Sequence, residues 1–337
     1  MINQVYQLIS PRVFSIKYED LSTNNGVVVR PTHLAICHAD QRYYLGKRDV
    51  SILQKKLPMA LIHEACGEVV CDVSGCFKVG QKVVMVPNVP GEKSDFIYEN
   101  YSKNSKFLSS GSDGFMRELV QLPIDRVVSF EDIPMKIAAI TEFVSVAVHA
   151  ACRFSLTSHP NRGTIGIWGD GSLAFVVACV LEKMFPNSKI VVVGKDVRKL
   201  SNFSFVHETY LAENLPEDFL IDHAFECAGG EGSYFAIDDI IRSISAQGTV
   251  MLMGVSENKV PINTRNVLEK GMSLIGCSRS GRTDFEKAVE IMKQEDIQKR
   301  LSTIIYEVDP VCCVAQIHKA FSTDLATPFK TVFEWKI

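Results

Sequence analysis

The sequence predicts an α/β protein, with a β-rich first domain and a doubly wound parallel sheet. Three observations carry this expectation. Short β-type runs separated by turn signals fill the first half. From Thr164 onward, strand-like and helix-like runs alternate with short connections, the pattern of a parallel sheet with crossover helices. The first strand of that series ends in a glycine-rich turn, Gly169-Asp170-Gly171-Ser172-Leu173-Ala174. A chain of 337 residues is long enough for two domains, each with its own core.

In order along the chain, Val27–Val29, Gly67–Cys71, Lys82–Val86 and Glu118–Leu122 read as strands, with turns at Val79-Gly80 and Pro87-Asn88. Pro90–Asp113 is polar and reads as a long surface loop. Ile137–Phe154 is apolar at helical spacing and reads as a helix bridging the two halves. Then follow a strand at Thr164–Trp168, a helix over Leu173–Phe185, and strands at Lys189–Val193 and Ile221–Glu226. A helix over Ser233–Ser245, a strand at Thr249–Met253, a helix over Val314–Phe321 and a last strand at Lys330–Trp335 complete the series. The expected division places residues 1–145 and 286–337 in the β-rich domain and 146–285 in the nucleotide-binding one.

A net charge of −3 and the absence of any basic block give no reason to expect a nucleic-acid partner. The N-terminus has neither the apolar core nor the small-residue cleavage site of a signal peptide. No run approaches the ~18 apolar residues of a membrane span. A cytoplasmic protein without a membrane partner is expected. The ten cysteines are scattered, none in a C-x-x-C pair, so most are expected to be small buried hydrophobes.

The turn at Gly169 fits G-x-G-x-x-A, directly after the strand TIGIW and at a helix start. Its glycines permit a tight turn and close approach of backbone N–H groups to a pyrophosphate. Gly169, Gly171, Ser172 and Leu173 are therefore assigned to a dinucleotide, as are Cys227 and Gly254 at the ends of later strands. In NAD sites an acidic residue ends the second strand. Here that strand ends at Gly194, with Lys195, Arg198 and Lys199 just beyond, which favours a 2′-phosphate and hence NADPH. Asp196 leaves NAD open.

His63-Glu64 opens like the zinc-protease motif H-E-x-x-H, but Gly67 stands where the second His belongs. Upstream lies Cys37-His38-Ala39-Asp40, and downstream Glu142 opens a helical stretch. Thiolate, imidazole and carboxylate together make a zinc donor set, and a catalytic site needs three of them with one position open.

Taken in order, C-H-x-D, H-E-x-x-G-x-V, E-x-x-S-V-A-x-H-A and G-x-G-x-x-A resemble the zinc-dependent medium-chain dehydrogenase/reductase superfamily, nearest its polyol (sorbitol-type) branch. The resemblance implies a GroES-like catalytic domain, a Rossmann domain and a homodimer. It implies Cys37, His63 and Glu142 as zinc ligands, with Glu64 able to join them. Pro87–Gly114 lacks the four cysteines of the family's structural zinc, so one catalytic zinc and no structural zinc are expected. Ala39 replaces the usual Ser or Thr of the proton relay, leaving His38, Asp40, Tyr43 or an ordered water for that role.

The runs MINQVYQL, LPMALIHE, VVMVPN, GSDGFM, GIWGDG, HAFECAGG and VLEKGMSLIGCSRSG are similar to the ribulose-5-phosphate reductases. That resemblance implies NADPH-dependent, zinc-dependent reduction of D-ribulose 5-phosphate to D-ribitol 5-phosphate. The product would enter CDP-ribitol synthesis for wall teichoic acid or capsule, with a cytidylyltransferase as pathway partner. Arg42, Lys47, Arg279 and Arg282 are the cations expected to meet the substrate phosphate. Two other functions fit the same motifs: a dehydrogenase of an unphosphorylated polyol, and a non-catalytic NADPH-binding protein.

Overall fold

The computed structural model describes the whole chain, Met1–Ile337, which divides into two units. Met1–Ser145 with Arg279–Ile337 form the first, and Val146–Ser278 the second. The helix Thr141–Thr157 starts in one and ends in the other. Residues 279–285, expected with the nucleotide-binding domain, lie in the first unit. The reason is local: the Ser280 and Ser145 hydroxyls are 2.6 Å apart, and the Arg282 N–H donates to Glu99 at 2.6 Å.

The first unit is built on a seven-stranded sheet. In spatial order it runs Val127–Ser129, Lys82–Met85, Glu64–Asp72, Val27–Ala35, Lys330–Trp335 and Ile305–Val311, with Val120–Leu122 also pairing to Val27–Ala35. The last strand of the chain is thus inserted beside the strand that leads to Cys37. Leu34, Ile36, Leu61, Ile62, Phe115, Phe321 and Phe333 are among the buried residues that form one core beneath it. A hairpin, Ile2–Ser10 with Val13–Asp20, was not expected, although Phe14, Ile16 and Tyr18 alternate with polar residues along its mostly exposed second strand.

Within the Pro90–Asp113 region Lys106–Phe107 is a short strand, paired with Asn88–Val89 just before it. The buried Arg126 anchors it, donating to Glu99 at 2.8 and 3.1 Å and to the Asn88 carbonyl at 3.0 Å. The bridging helix is interrupted: a short helix, Met135–Ala138, precedes Thr141–Thr157. At the break the Thr141 hydroxyl donates to the Ala138 carbonyl at 2.7 Å, which leaves Glu142 in the first turn of the longer helix.

In the second unit six strands form an all-parallel sheet. Numbered in chain order they are Thr164–Trp168, Lys189–Gly194, Glu208–Leu211, His223–Glu226, Thr249–Leu252 and Ser273–Gly276, and their spatial order is 3-2-1-4-5-6. This is the doubly wound dinucleotide-binding topology. Helices Ser172–Met184 and Gly232–Ser243 cover it with buried apolar faces. No helix of the chain is long and apolar enough to cross a membrane.

Candidate active site

Gly67 is glycine because of strand packing. Glu64–Asp72 is a strand, in which residues four apart are separated by about 13 Å along the chain, too far to share one metal as they would one turn apart on a helix. A Cβ at Gly67 would lie 2.1 Å from the Arg30 carbonyl oxygen of the neighbouring strand. His63 therefore finds its partners across the fold.

Cys37 follows the strand Val27–Ala35 and caps the helix His38–Tyr44. His63 enters the strand Glu64–Asp72 after Ile62, whose φ is +68°. Asp40 ties the two together: its carboxylate accepts from the Cys37 N–H at 3.1 Å, the Ile62 N–H at 3.0 Å and the Ser109 hydroxyl at 2.6 Å. On the other side the Phe115 N–H donates to the Ile62 carbonyl at 2.7 Å. Gly114 permits that approach, since its Cβ would stand 2.3 Å from the Ile62 oxygen.

These elements bring together two overlapping donor groups, Cys37–Asp40–His63 and His63–Glu64–Glu142, each with ligand atoms within 4.8 Å of one another. His63 belongs to both. Its Nε2 is 4.0 Å from Glu142, and its Nδ1, buried without a hydrogen-bond partner, is 3.7 Å from Asp40. Burial alone would lower the imidazole pKa, yet the charges of Asp40, Cys37 and Glu142 hold it well above its ordinary value. Burial is the main reason the Glu142 carboxyl is pushed up to about 7, with the nearby Glu64 adding to it. Buried acidic donors and an imidazole held this closely beside the half-buried Cys37 thiol are surroundings in which a divalent cation is stabilised. The donor set fits zinc.

Glu64 is fully buried and paired with Lys330, whose ammonium also donates to the Ile36 carbonyl at 3.1 Å and lies 4.6 Å from the Phe143 ring centre. The second Glu64 oxygen has no hydrogen-bond partner. Lys330 escaped the sequence analysis because a single lysine opening an apolar strand carries no pattern. His38 is exposed, and Asp40 is committed to the hydrogen bonds above, so neither stands as a free acid or base among the donors. Tyr43, by contrast, has a buried hydroxyl without a partner.

Among the expected phosphate contacts, Lys47 is exposed. Arg282 is engaged elsewhere, donating to the Ile124 and Val127 carbonyls at 3.1 Å and to Glu286 at 2.8 Å. Arg279, with φ +58°, sets its guanidinium 4.8 Å from the centre of Phe107, whose ring in turn packs edge-on against His63 at 5.2 Å. Arg42 is half-buried on the Cys37-capped helix.

In the second unit Gly169 has φ +137°, and its Cβ would lie 2.9 Å from the Cys227 carbonyl oxygen. Gly171 caps the helix Ser172–Met184, and nothing lies within 4 Å of where its Cβ would be. A tight turn with open space at a helix N-terminus is a cradle for a pyrophosphate. Gly194 replaces an acid because of crowding: its Cβ would approach the Asp170 side chain to 2.7 Å. Asp170 accepts from the Lys195 and Asp196 N–H groups at 2.7 and 2.9 Å. Asp196 caps the next helix by accepting from the Arg198 and Lys199 N–H groups, so its carboxylate is occupied. Arg198 is almost fully exposed, Lys199 is 3.9 Å from Asp170, and the Lys195 ammonium lies 5.1 Å from the Phe235 ring centre. Burial raises the Cys227 thiol well above its usual range. Gly254 is required by Glu226, a buried carboxylate missed in the sequence: a Cβ would sit 2.5 Å from both its oxygens. Glu226 accepts from the Ala228, Gly229 and Gly254 N–H groups and from the Ser233 hydroxyl, which fixes the loops at the strand ends.

The alcohol dehydrogenase GroES-like domain family matches residues 23–132. A ribulose-5-phosphate reductase of Streptococcus pneumoniae is 53% identical over 340 residues, covering 100% of this chain and 98% of that protein. One of Bacillus spizizenii is 49% identical, with 100% of both chains covered. The solved structure of S. aureus TarJ in complex with NADPH is similar with a TM-score of 0.89 at 44% identity, covering 100% of both chains.

Proposed function

The chain belongs to the ribulose-5-phosphate reductase family, and from that membership we propose that it reduces D-ribulose 5-phosphate to D-ribitol 5-phosphate with NADPH and one catalytic zinc ion. The observation that carries the proposal is the buried donor set centred on His63, in a chain similar along its whole length to named reductases of that substrate.

Cys37, His63 and Glu142 would hold the zinc, with Glu64 in reach beside them. What the bound groups supply is Lewis acidity at a carbonyl oxygen, from zinc, and hydride, from NADPH. The chain's own residues do the positioning. Asp40 fixes the backbone on both sides of the donor pair through its bonds to the Cys37 and Ile62 N–H groups. Lys330 neutralises Glu64, so that the buried cluster does not gather uncompensated negative charge. Tyr43, with its buried unpartnered hydroxyl, is the group we assign to proton delivery in place of the relay lost at Ala39. Gly169, Gly171, Ser172 and Leu173 receive the pyrophosphate, and Lys195, Arg198 and Lys199 the 2′-phosphate.

The product would feed CDP-ribitol synthesis for wall teichoic acid or capsule, ahead of a cytidylyltransferase, with the enzyme working in the cytoplasm as a homodimer. Elemental analysis tests the metal. One zinc per chain is expected in the wild-type protein and its loss in Cys37→Ala, with turnover falling by ~1000-fold or more. Full zinc occupancy in the variant would overturn the ligand assignment.

A further inference from the structure

A group of cations around Tyr43 lies outside the donor set. The Tyr43 ring is buried, and the Arg48 guanidinium lies 4.7 Å from its centre. The Lys56 ammonium is 5.9 Å from the same ring and donates to the Ser110 hydroxyl at 3.0 Å. The Arg48 Nε is buried without a hydrogen-bond partner. Neither Arg48 nor Lys56 forms an ion pair with a carboxylate. Arg42, on the Tyr43 helix, is lowered from its ordinary pKa by burial and then by the charge of Arg48. Arg279 lies over Phe107, and burial lowers its pKa against the opposing effect of Glu142 and Tyr43.

Like charges gathered on one aromatic ring repel, and partial burial strengthens the repulsion. An anion supplied by the ligand removes that cost. Stacking fixes the plane of Arg48 and leaves its N–H fork free to meet phosphate oxygens, while Lys56 acts as a point charge. Phe107, between Arg279 and His63, links this group to the donor set.

We propose that Arg48, Lys56 and Arg279, arranged about Tyr43 and Phe107, receive the phosphate of the substrate and set the preference for a phosphorylated ketose over the free sugar. The inference rests on the ketose-phosphate reading above; of the cations expected from the sequence it keeps Arg279 and puts Arg48 and Lys56 in place of Arg42, Lys47 and Arg282.

The test compares kcat/KM for D-ribulose 5-phosphate with that for D-ribulose, using the zinc-loaded enzyme and NADPH. Inhibition of the D-ribulose reaction by inorganic phosphate is measured in parallel. Arg48→Gln and Lys56→Gln are each expected to lower the ratio of the two kcat/KM values by ~10- to 100-fold, mainly through KM, and to weaken phosphate inhibition. Arg48→Lys keeps the charge and is expected to recover part of the ratio. Melting temperature and NADPH affinity identify any variant that has lost its fold. A folded Gln variant with the wild-type ratio and wild-type phosphate inhibition overturns the proposal. A wild-type enzyme that turns over both sugars equally overturns the underlying reading instead.

Discussion

Gly254 illustrates how much rests on single atoms near the cofactor loops. A Cβ there would meet both oxygens of Glu226 and the Gly229 nitrogen at 2.5 Å, and Glu226 has no room to retreat because four donors hold it. Gly254→Ala is expected to destabilise the protein by about 1–3 kcal/mol and to weaken NADPH binding. Thermal unfolding and a fluorescence titration with NADPH would measure both effects. Unchanged values would mean that the Glu226 loops yield more easily than their hydrogen bonding implies. At this scale the sequence was only partly legible. Cys37, His63, Glu64 and Glu142 stood out only together, as a zinc donor set ahead of a dinucleotide-binding turn, in the motif order of a known family. Arg48, Lys56, Lys330 and Glu226 did not: Arg48 and Lys56 lie over Tyr43, Lys330 pairs with Glu64, 266 positions away, and Glu226 accepts chiefly from backbone N–H groups, none of which leaves a pattern of residue types.

Among the elements, the lobe between Asn88 and Phe107 depends on Arg126. This buried guanidinium forks onto Glu99 and reaches the Asn88 carbonyl, and Glu99 also receives the Arg282 N–H. Arg126→Ala would leave Glu99 and the Asn88 carbonyl without their partner, at a cost of about 2–4 kcal/mol. Hydrogen exchange should rise first in residues 88–107, with the parallel sheet unaffected. Uniform protection in that lobe would contradict the anchoring role. Strongly periodic elements were legible: the strands Thr164–Trp168 and Lys330–Trp335 fall where the apolar runs placed them. The strands Glu208–Leu211 and Ser273–Gly276 were not, being short and lying at the sheet edges, where neighbours rather than their own composition make them strands. The break before Thr141 was hidden for a related reason, since apolar residues continue through it while a hydroxyl bond ends the first helix.

For the whole molecule, stability should depend on pH through His223. This buried imidazole is lowered to about 4, first by burial and then by His159, whose ring centre is 4.2 Å away. The folded state thus binds the proton less readily than the unfolded chain, in which the group titrates near 6.5. Its contribution is present above about pH 6.5 and is lost as the pH falls toward about 4. Allowing for screening, the loss is about 2 kcal/mol. Urea unfolding at a series of pH values should record this slope in the wild type and a shallower one in His223→Asn; equal slopes would remove His223 from the account.

The central claim, that the chain is a zinc-dependent reductase of a phosphorylated ketose, is tested most directly by NADPH oxidation with D-ribulose 5-phosphate and with D-ribulose, before and after zinc chelation. Turnover of the phosphorylated sugar is expected to be at least ~10-fold better in kcat/KM than that of the free sugar. Activity should be lost on chelation and recovered on adding zinc. Equal turnover of the two sugars, or activity that survives complete removal of zinc, would contradict the claim.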